Sequence, residues 1–348
     1  MLFFQRAATR KKVLCLALFC ILILPMIGCS SETETTGGDD QKQTIVLADA
    51  SWDSIQVHNR IVGFILENGY GYPVDYLFGE TLPLLQGLRN GDVQIYMEIW
   101  ADNILEAWEK ALNEGSVQNL GVNFPDAPQG WYVPTYLIQG DPARGLEPVA
   151  PDLKSVFDLP RYKDLFPDQE VSSKGRFHNS PPGWVCTAIN EEKIAAYGLD
   201  EHFNIFSTGS DTALVTSMVS AYEKGEPWLG YYWEPTWVMG KLDMTRLEEP
   251  AYSQEVWDQD KACAYPFARV FKGIHSGLRD QAPEIIDFLE KYETSLDQNN
   301  DMLSYLIDVD GDTEKAAVYF LKNYPEVWQS WLPEELVAKV ETALNEVD

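Results

Sequence analysis

Basic residues are scarce in this 348-residue chain: 26 Lys and Arg stand against 54 Asp and Glu, a formal charge of −28. A phosphate-backbone partner is excluded on that balance, because nucleic-acid binding rests on basic neutralisation of phosphates. Cysteines number five and histidines four, and neither clusters at metal-ligand spacing, so no metal and no cofactor is expected. There is no phosphate-cradling glycine motif and no nucleophile elbow. No apolar run reaches the ~20 residues of a spanning helix. What is present is apolar bulk: 45% hydrophobic and 12% aromatic positions, with eleven tryptophans, enough to bury substantial cores.

The amino terminus carries Arg6, Arg10, Lys11 and Lys12 and then the apolar run 13–28, VLCLALFCILILPMIG, which reads as an export signal. Met26, Ile27, Gly28 and Cys29 resemble the lipobox of bacterial lipoproteins, with Met26 where leucine is usual. The expectation is a signal peptide over 1–28, lipidation of Cys29, and a flexible tether over 29–43 with a reach of roughly 20 Å. The mature chain would then be extracytoplasmic, lipid-anchored and more acidic, with 22 basic against 54 acidic residues. Cys186 and Cys263 remain as a pair in an oxidising compartment, where a disulfide is plausible, two separate buried thiols being the alternative.

From Thr44 the pattern alternates. TIVLADA reads as a strand, Ile55, Val62, Ile65 and Leu66 mark one helical face, VDYLF is a second strand, a helix runs from Thr81 to Asn90, and the stretch from Val93 to Trp100 is a third strand. The same order recurs in GRFHNS, a helix over about Thr187–Tyr197, HFNIFST, a helix from Ser210 or Asp211 to about Tyr222, and WLGYYW. Each βαβαβ unit implies a parallel sheet with right-handed crossovers. Segments 131–139 and 264–272 are candidate crossing strands, and the helical carboxy-terminal part packs back on the first unit. The architecture is therefore α/β: two Rossmann-like lobes joined by a two-crossing hinge, with lobe one over 44–137 and 265–348, lobe two over 138–264, and a cleft between them.

Ligands in such sheets sit beyond the carboxyl ends of the strands. Trp100 and Trp233 end the third strand of each unit, and Trp52 and Trp184 follow the first strand of each. Four indoles at corresponding strand ends suit a quaternary ammonium ion, whose diffuse charge meets the ring quadrupole while its methyl groups are buried. Three or four rings at ~0.5–2 kcal/mol each supply a few kcal/mol, whereas micromolar binding needs about 8 kcal/mol. Methyl burial, lobe closure and polar contacts must supply the rest. Helix starts after Ala50 and after Gly183 offer backbone N–H groups to a carboxylate.

The stretches GDVQIYMEIW, SPPGWVCTAIN and GYYWEPTWV resemble those of substrate-binding proteins of glycine betaine, proline betaine and choline ABC importers (the OpuAC/ProX-like family), over roughly residues 44–335. The resemblance implies a type II periplasmic-binding-protein fold, no enzymatic activity, an ABC permease as partner and a monomeric receptor. It carries Trp100, Trp184 and Trp233 to cage positions and Trp52 to a first-loop aromatic found in some members. It also implies glycine betaine as ligand, with proline betaine, choline or carnitine as relatives of it. Ser51, Asp53, His178 and Thr236 are lesser candidates: Asp53 as a counter-charge or a helix cap, Thr236 as a donor to a carboxylate. DVDGDTE at 308–314 has too few ligands for a calcium loop and reads as a turn with a helix cap. An alternative reading is an exported carbohydrate-active enzyme, or a sugar receptor, stacking sugars on the same aromatics with Glu98 and Glu234 as paired carboxylates.

Overall fold

The computed structural model describes residues 42–347 other than Phe267. The expected signal peptide, Cys29 and most of the tether lie outside the described residues. At the tether's expected end, exposed Lys42 contacts the fold: its ammonium lies 2.7 Å from Glu284 and 4.0 Å from the centre of the Tyr72 ring. No described helix is long and apolar enough to cross a membrane.

Two five-stranded sheets form on one plan. The first has the order β2-β1-β3-β10-β4, from β1 (Ile45–Ala50), β2 (Val74–Gly79), β3 (Ile95–Trp100), β4 (Val117–Ala127) and β10 (Ala268–His275). The second has the order β7-β6-β8-β5-β9, from β5 (Gln129–Pro134), β6 (Gly175–Asn179), β7 (Phe203–Ser207), β8 (Gly230–Trp233) and β9 (Met244–Arg246). In each, the first three strands of the βαβαβ unit are parallel. The sheets are mixed rather than wholly parallel, because the fourth strand of each arrives from the other lobe. Thus β10 runs antiparallel to β3, and β5 runs antiparallel to β8.

That arrival moves the expected lobe boundary. Gln129–Pro134 is already hydrogen-bonded to β8 and β9, so the first crossing falls at Pro128, between β4 and β5, and not at 137. The expected crossing strand 131–139 is strand only to Pro134 and turns helical over Tyr136–Gln139. The second crossing precedes Ala268, which pairs with Ala127.

Strand alternation sorts the side chains. On β3, Ile95 and Met97 join a core with Ile61, Ile65, Ile274 and the carboxy-terminal helices Leu296–Asp308, Thr313–Asn323 and Glu334–Glu346. Tyr96, Glu98 and Trp100 face the other way, toward lobe two. A second apolar cluster runs unbroken from Ala48, Ala50 and Trp52 of the first sheet to Trp184, Tyr231 and Trp233 of the second. Residues 308–314 end one helix and cap the next, the Asp312 carboxylate accepting from the Lys315 backbone N–H at 3.1 Å.

Candidate functional site

Both βα turns that follow the first strand of a lobe place a tryptophan at the residue before the helix. Trp52 precedes helix Asp53–Ile65 and Trp184 precedes helix Val185–Ala196, each with extended backbone (φ −108°, ψ 149° and φ −76°, ψ 138°). This geometry turns the indole away from the helix and into the interlobe space. Trp100 and Trp233 leave the last positions of β3 and β8 toward the same space. The four indoles line one cavity of about 40 Å³ within a wider empty space of about 440 Å³. Trp52 meets Trp184 edge-on at 5.5 Å, and Trp184 meets Trp233 edge-on at 4.9 Å. Tyr96 and Glu98 from lobe one, and Tyr231, Val185 and Cys186 from lobe two, complete much of the wall.

A carboxylate organises half of this wall. The Glu98 Oε1 atom accepts from Trp52 Nε1 at 2.7 Å, Ser54 Oγ at 2.9 Å and Trp100 Nε1 at 3.0 Å. Its Oε2 atom is buried with no hydrogen-bond partner. Burial raises the Glu98 carboxyl to about 7, outweighing the three donors that pull it down. No Lys, Arg or His lines the cavity, and burial pushes the Cys186 thiol up to about 11, so that wall stays neutral. The geometry fixes two indoles within lobe one before any ligand arrives. The third is aimed from across the gap, where Trp184 Nε1 donates to Ser51 Oγ at 2.8 Å. Nearby, Gly183 has φ +99°, and a Cβ there would stand 2.8 Å from Glu80 Cγ of lobe one.

The lesser candidates go elsewhere. Ser51 meets Trp184 and is absent from the cavity lining. Asp53 and Thr236 line a second, smaller cavity together with Asp211. His178 stacks on Trp228 at 5.5 Å, bonds through Nδ1 with the Leu229 carbonyl at 3.1 Å, and opens onto a different pocket. Burial lowers its pKa to about 4. Glu234 lines another pocket with Tyr132 and Arg246, so Glu98 and Glu234 do not converge as a glycosidase pair would. Cys186 and Cys263 are free, buried thiols in this structure, with Cys186 Sγ 3.2 Å from Ser180 Oγ and Cys263 Sγ 3.7 Å from the Ser253 carbonyl. Each thiol points to a partner of its own. Among the described residues no cluster of three or more His, Cys, Asp or Glu could hold a metal.

Tyr96 and Tyr231 were not singled out by sequence, and Glu98 only as one of the paired carboxylates of the carbohydrate alternative, yet the signal of all three is simple. They stand two or four positions before Trp100 and two before Trp233, on the same strand faces.

Two mixed α/β sheets sharing one strand order, joined by two crossings and meeting at a tryptophan-lined cavity, define a substrate-binding protein of the type II periplasmic fold. Residues 43–323 match the family model described as the substrate-binding domain of ABC-type glycine betaine transport systems (OpuAC), and the chain belongs to that family. It is a substrate-binding protein of a betaine- or choline-type ABC transporter. The chain is 25% identical over 293 residues to the trimethylamine N-oxide-binding protein of Pelagibacter ubique, covering 83% of this chain and 90% of that one. Among solved structures it is similar to the ProX glycine betaine/L-proline-binding protein of Borrelia burgdorferi (17% identity, TM-score 0.69, 85% of this chain and 99% of that one). It is equally similar to an ABC-transporter choline-binding protein in complex with choline (19% identity, TM-score 0.69, 86% and 98%). At such identities the two structures speak for the fold.

Proposed function

We propose that this protein captures a small trimethylammonium solute, glycine betaine in first place, between its four indoles and hands it to an ABC importer. It does so from an extracytoplasmic position held by a lipid on Cys29. The observation that carries the reading is one interlobe cavity walled by Trp52, Trp100, Trp184 and Trp233 with no basic side chain on it. A cation without N–H donors needs polarisable faces rather than hydrogen-bond acceptors. The carboxylate of a betaine has a receiving end too, since Val185 and Cys186 bring the start of a twelve-residue helix to the cavity wall.

A second reading, an N-oxide in place of the betaine, is favoured by Glu98. With its carboxyl raised to about 7 and Oε2 unpartnered, its protonated form can donate an O–H hydrogen bond from Oε2 to an anionic ligand oxygen. The P. ubique relative bears trimethylamine N-oxide in its name.

The test is an intrinsic-fluorescence titration with glycine betaine, proline betaine, choline, carnitine, trimethylamine N-oxide and taurine. Glycine betaine should bind with a Kd in the micromolar range. Trp100→Ala, Trp184→Ala and Trp233→Ala should each weaken binding about tenfold or more, the range of ~0.5–2 kcal/mol per ring plus lost burial, while thermal melts show a folded protein. Silence with every methylated amine would end the proposal.

A further inference from the structure

Beside the tryptophan-lined cavity lies a second interlobe space of about 10 Å³, walled by Asp53 at the start of helix Asp53–Ile65 in lobe one and Asp211 at the start of helix Asp211–Lys224 in lobe two. Each carboxylate suits its own helix, because the positive helix end favours an acid in the first turn. What neither suits is the other. Asp211 is 9% exposed, and its Oδ1 atom is buried with no partner. No Lys, Arg or His lines this space. The other titratable group on the wall is the buried phenol of Tyr232, pushed up by burial and by both aspartates. Ser54, also on this wall, leads on to Glu98 of the neighbouring cavity. Thr236 adds a hydroxyl, and the rest of the wall is apolar or aromatic, Val215, Trp237 and Leu303 among it.

We infer that closing the two lobes takes up a proton at the Asp53–Asp211 pair, so that solute capture is linked to pH. The step is a protonation: one carboxylate oxygen gains a proton from solvent, and the facing pair drops from two negative charges to one. A proton fits where a hydrated ion does not, since the space holds about one water. Opening the cleft would part the two acids and return each to water at a helix start, where a carboxylate ionises well below neutrality. In the closed form burial raises both, and the charge of Asp53 raises Asp211 further. The sign follows from linkage. A group raised on closing favours the closed form at low pH, and that advantage is lost as pH rises from the ordinary carboxylate value through the raised one.

The inference rests on the proposed function, and calorimetry separates the two. Glycine betaine is titrated into the full chain in buffers of different ionisation enthalpy between pH 5 and 8. Wild type should take up protons on binding, with Kd rising by up to about tenfold per pH unit. Asp211→Asn and Asp53→Asn, each checked for folding by circular dichroism, should lower the proton count and flatten the pH dependence, leaving the share due to Glu98. A count unchanged in both variants overturns the inference. So does a count of zero together with a Kd that shifts when sodium is replaced by N-methylglucamine, which would put a metal cation there. Should glycine betaine not bind, the fault lies with the proposed function, and the inference is read from solute-free protein by small-angle scattering. Wild type should then expand from pH 5 to 8 and Asp211→Asn should stay compact; identical profiles overturn it.

Discussion

At Glu98 three donors share one oxygen while its twin has none. Two of those donors are indole N–H groups of cavity walls, so the residue aims the rings that face the solute. Replacing it with Gln keeps the size and one oxygen for the three donors but removes the negative charge that strengthens those bonds. Glu98→Gln should weaken glycine betaine binding by about tenfold, the scale of one charge-assisted hydrogen bond of ~1.5 kcal/mol, as read by fluorescence titration. It should also change how stability responds to pH. The native carboxyl titrates near 7 against an ordinary 4.5. The unfolded chain therefore holds fewer protons between those values, and native stability falls as pH rises through them, by at most about 3.4 kcal/mol at 1.36 kcal/mol per unit. Thermal melts of Glu98→Gln from pH 4.5 to 7.5 should show a shallower decline than wild type. At this scale the tryptophans were legible because each marks a strand end. Glu98 was legible as an acid on the Trp100 face of its strand, but pairing it with Glu234 gave it the wrong role, because the bonds that make it an anchor for two indoles come from residues 44 and 46 positions away and from its own strand. Asp53 and Thr236 flank the right tryptophans, but both line the smaller cavity with Asp211.

The elements that position the site begin with a backbone only glycine adopts readily. Gly183, at φ +99°, sets Trp184 and lets the turn of lobe two come against the Glu80 side chain of lobe one. Gly183→Ala adds strain and a methyl group where the lobes meet. Stopped-flow fluorescence should show dissociation of the solute quickened about tenfold or more, with association little changed, because the encounter precedes closure; an unaltered dissociation rate would remove Gly183 from the closing contact. Most strands and helices could be read from periodicity. The exceptions have physical causes. β4 is broken by Gly121 and Pro125 and is held by β10, about 150 residues away in sequence, so nothing local announces it. Helix Leu296–Asp308 buries Met302, Leu303 and Leu306 but starts with LDQNND, whose polarity hides the period; its Ser295–Gln298 capping box is the signal that was there to be used.

Across the whole molecule, the continuous apolar cluster from Ala48 to Trp233 ties the lobes into one body when the cleft is shut. Calorimetry with saturating solute should give a single unfolding transition. At a hundredfold excess over Kd that transition should be stabilised by about 2.7 kcal/mol. Two separated transitions under saturation would mean that the lobes fold independently of what lies between them. The two crossings add a constraint of direction. They lie side by side, with Ala268 paired to Ala127 where β4 gives way to Pro128 and β5. Two neighbouring extended segments flex readily about the line that passes through both and resist shear or twist across it. The molecule thus swings like a book on its spine, and the page edges travel farthest. On lobe one that margin holds Phe78, 65% exposed and two residues before Glu80, so a few degrees of bending at Pro128 would become ångströms of travel at the rim.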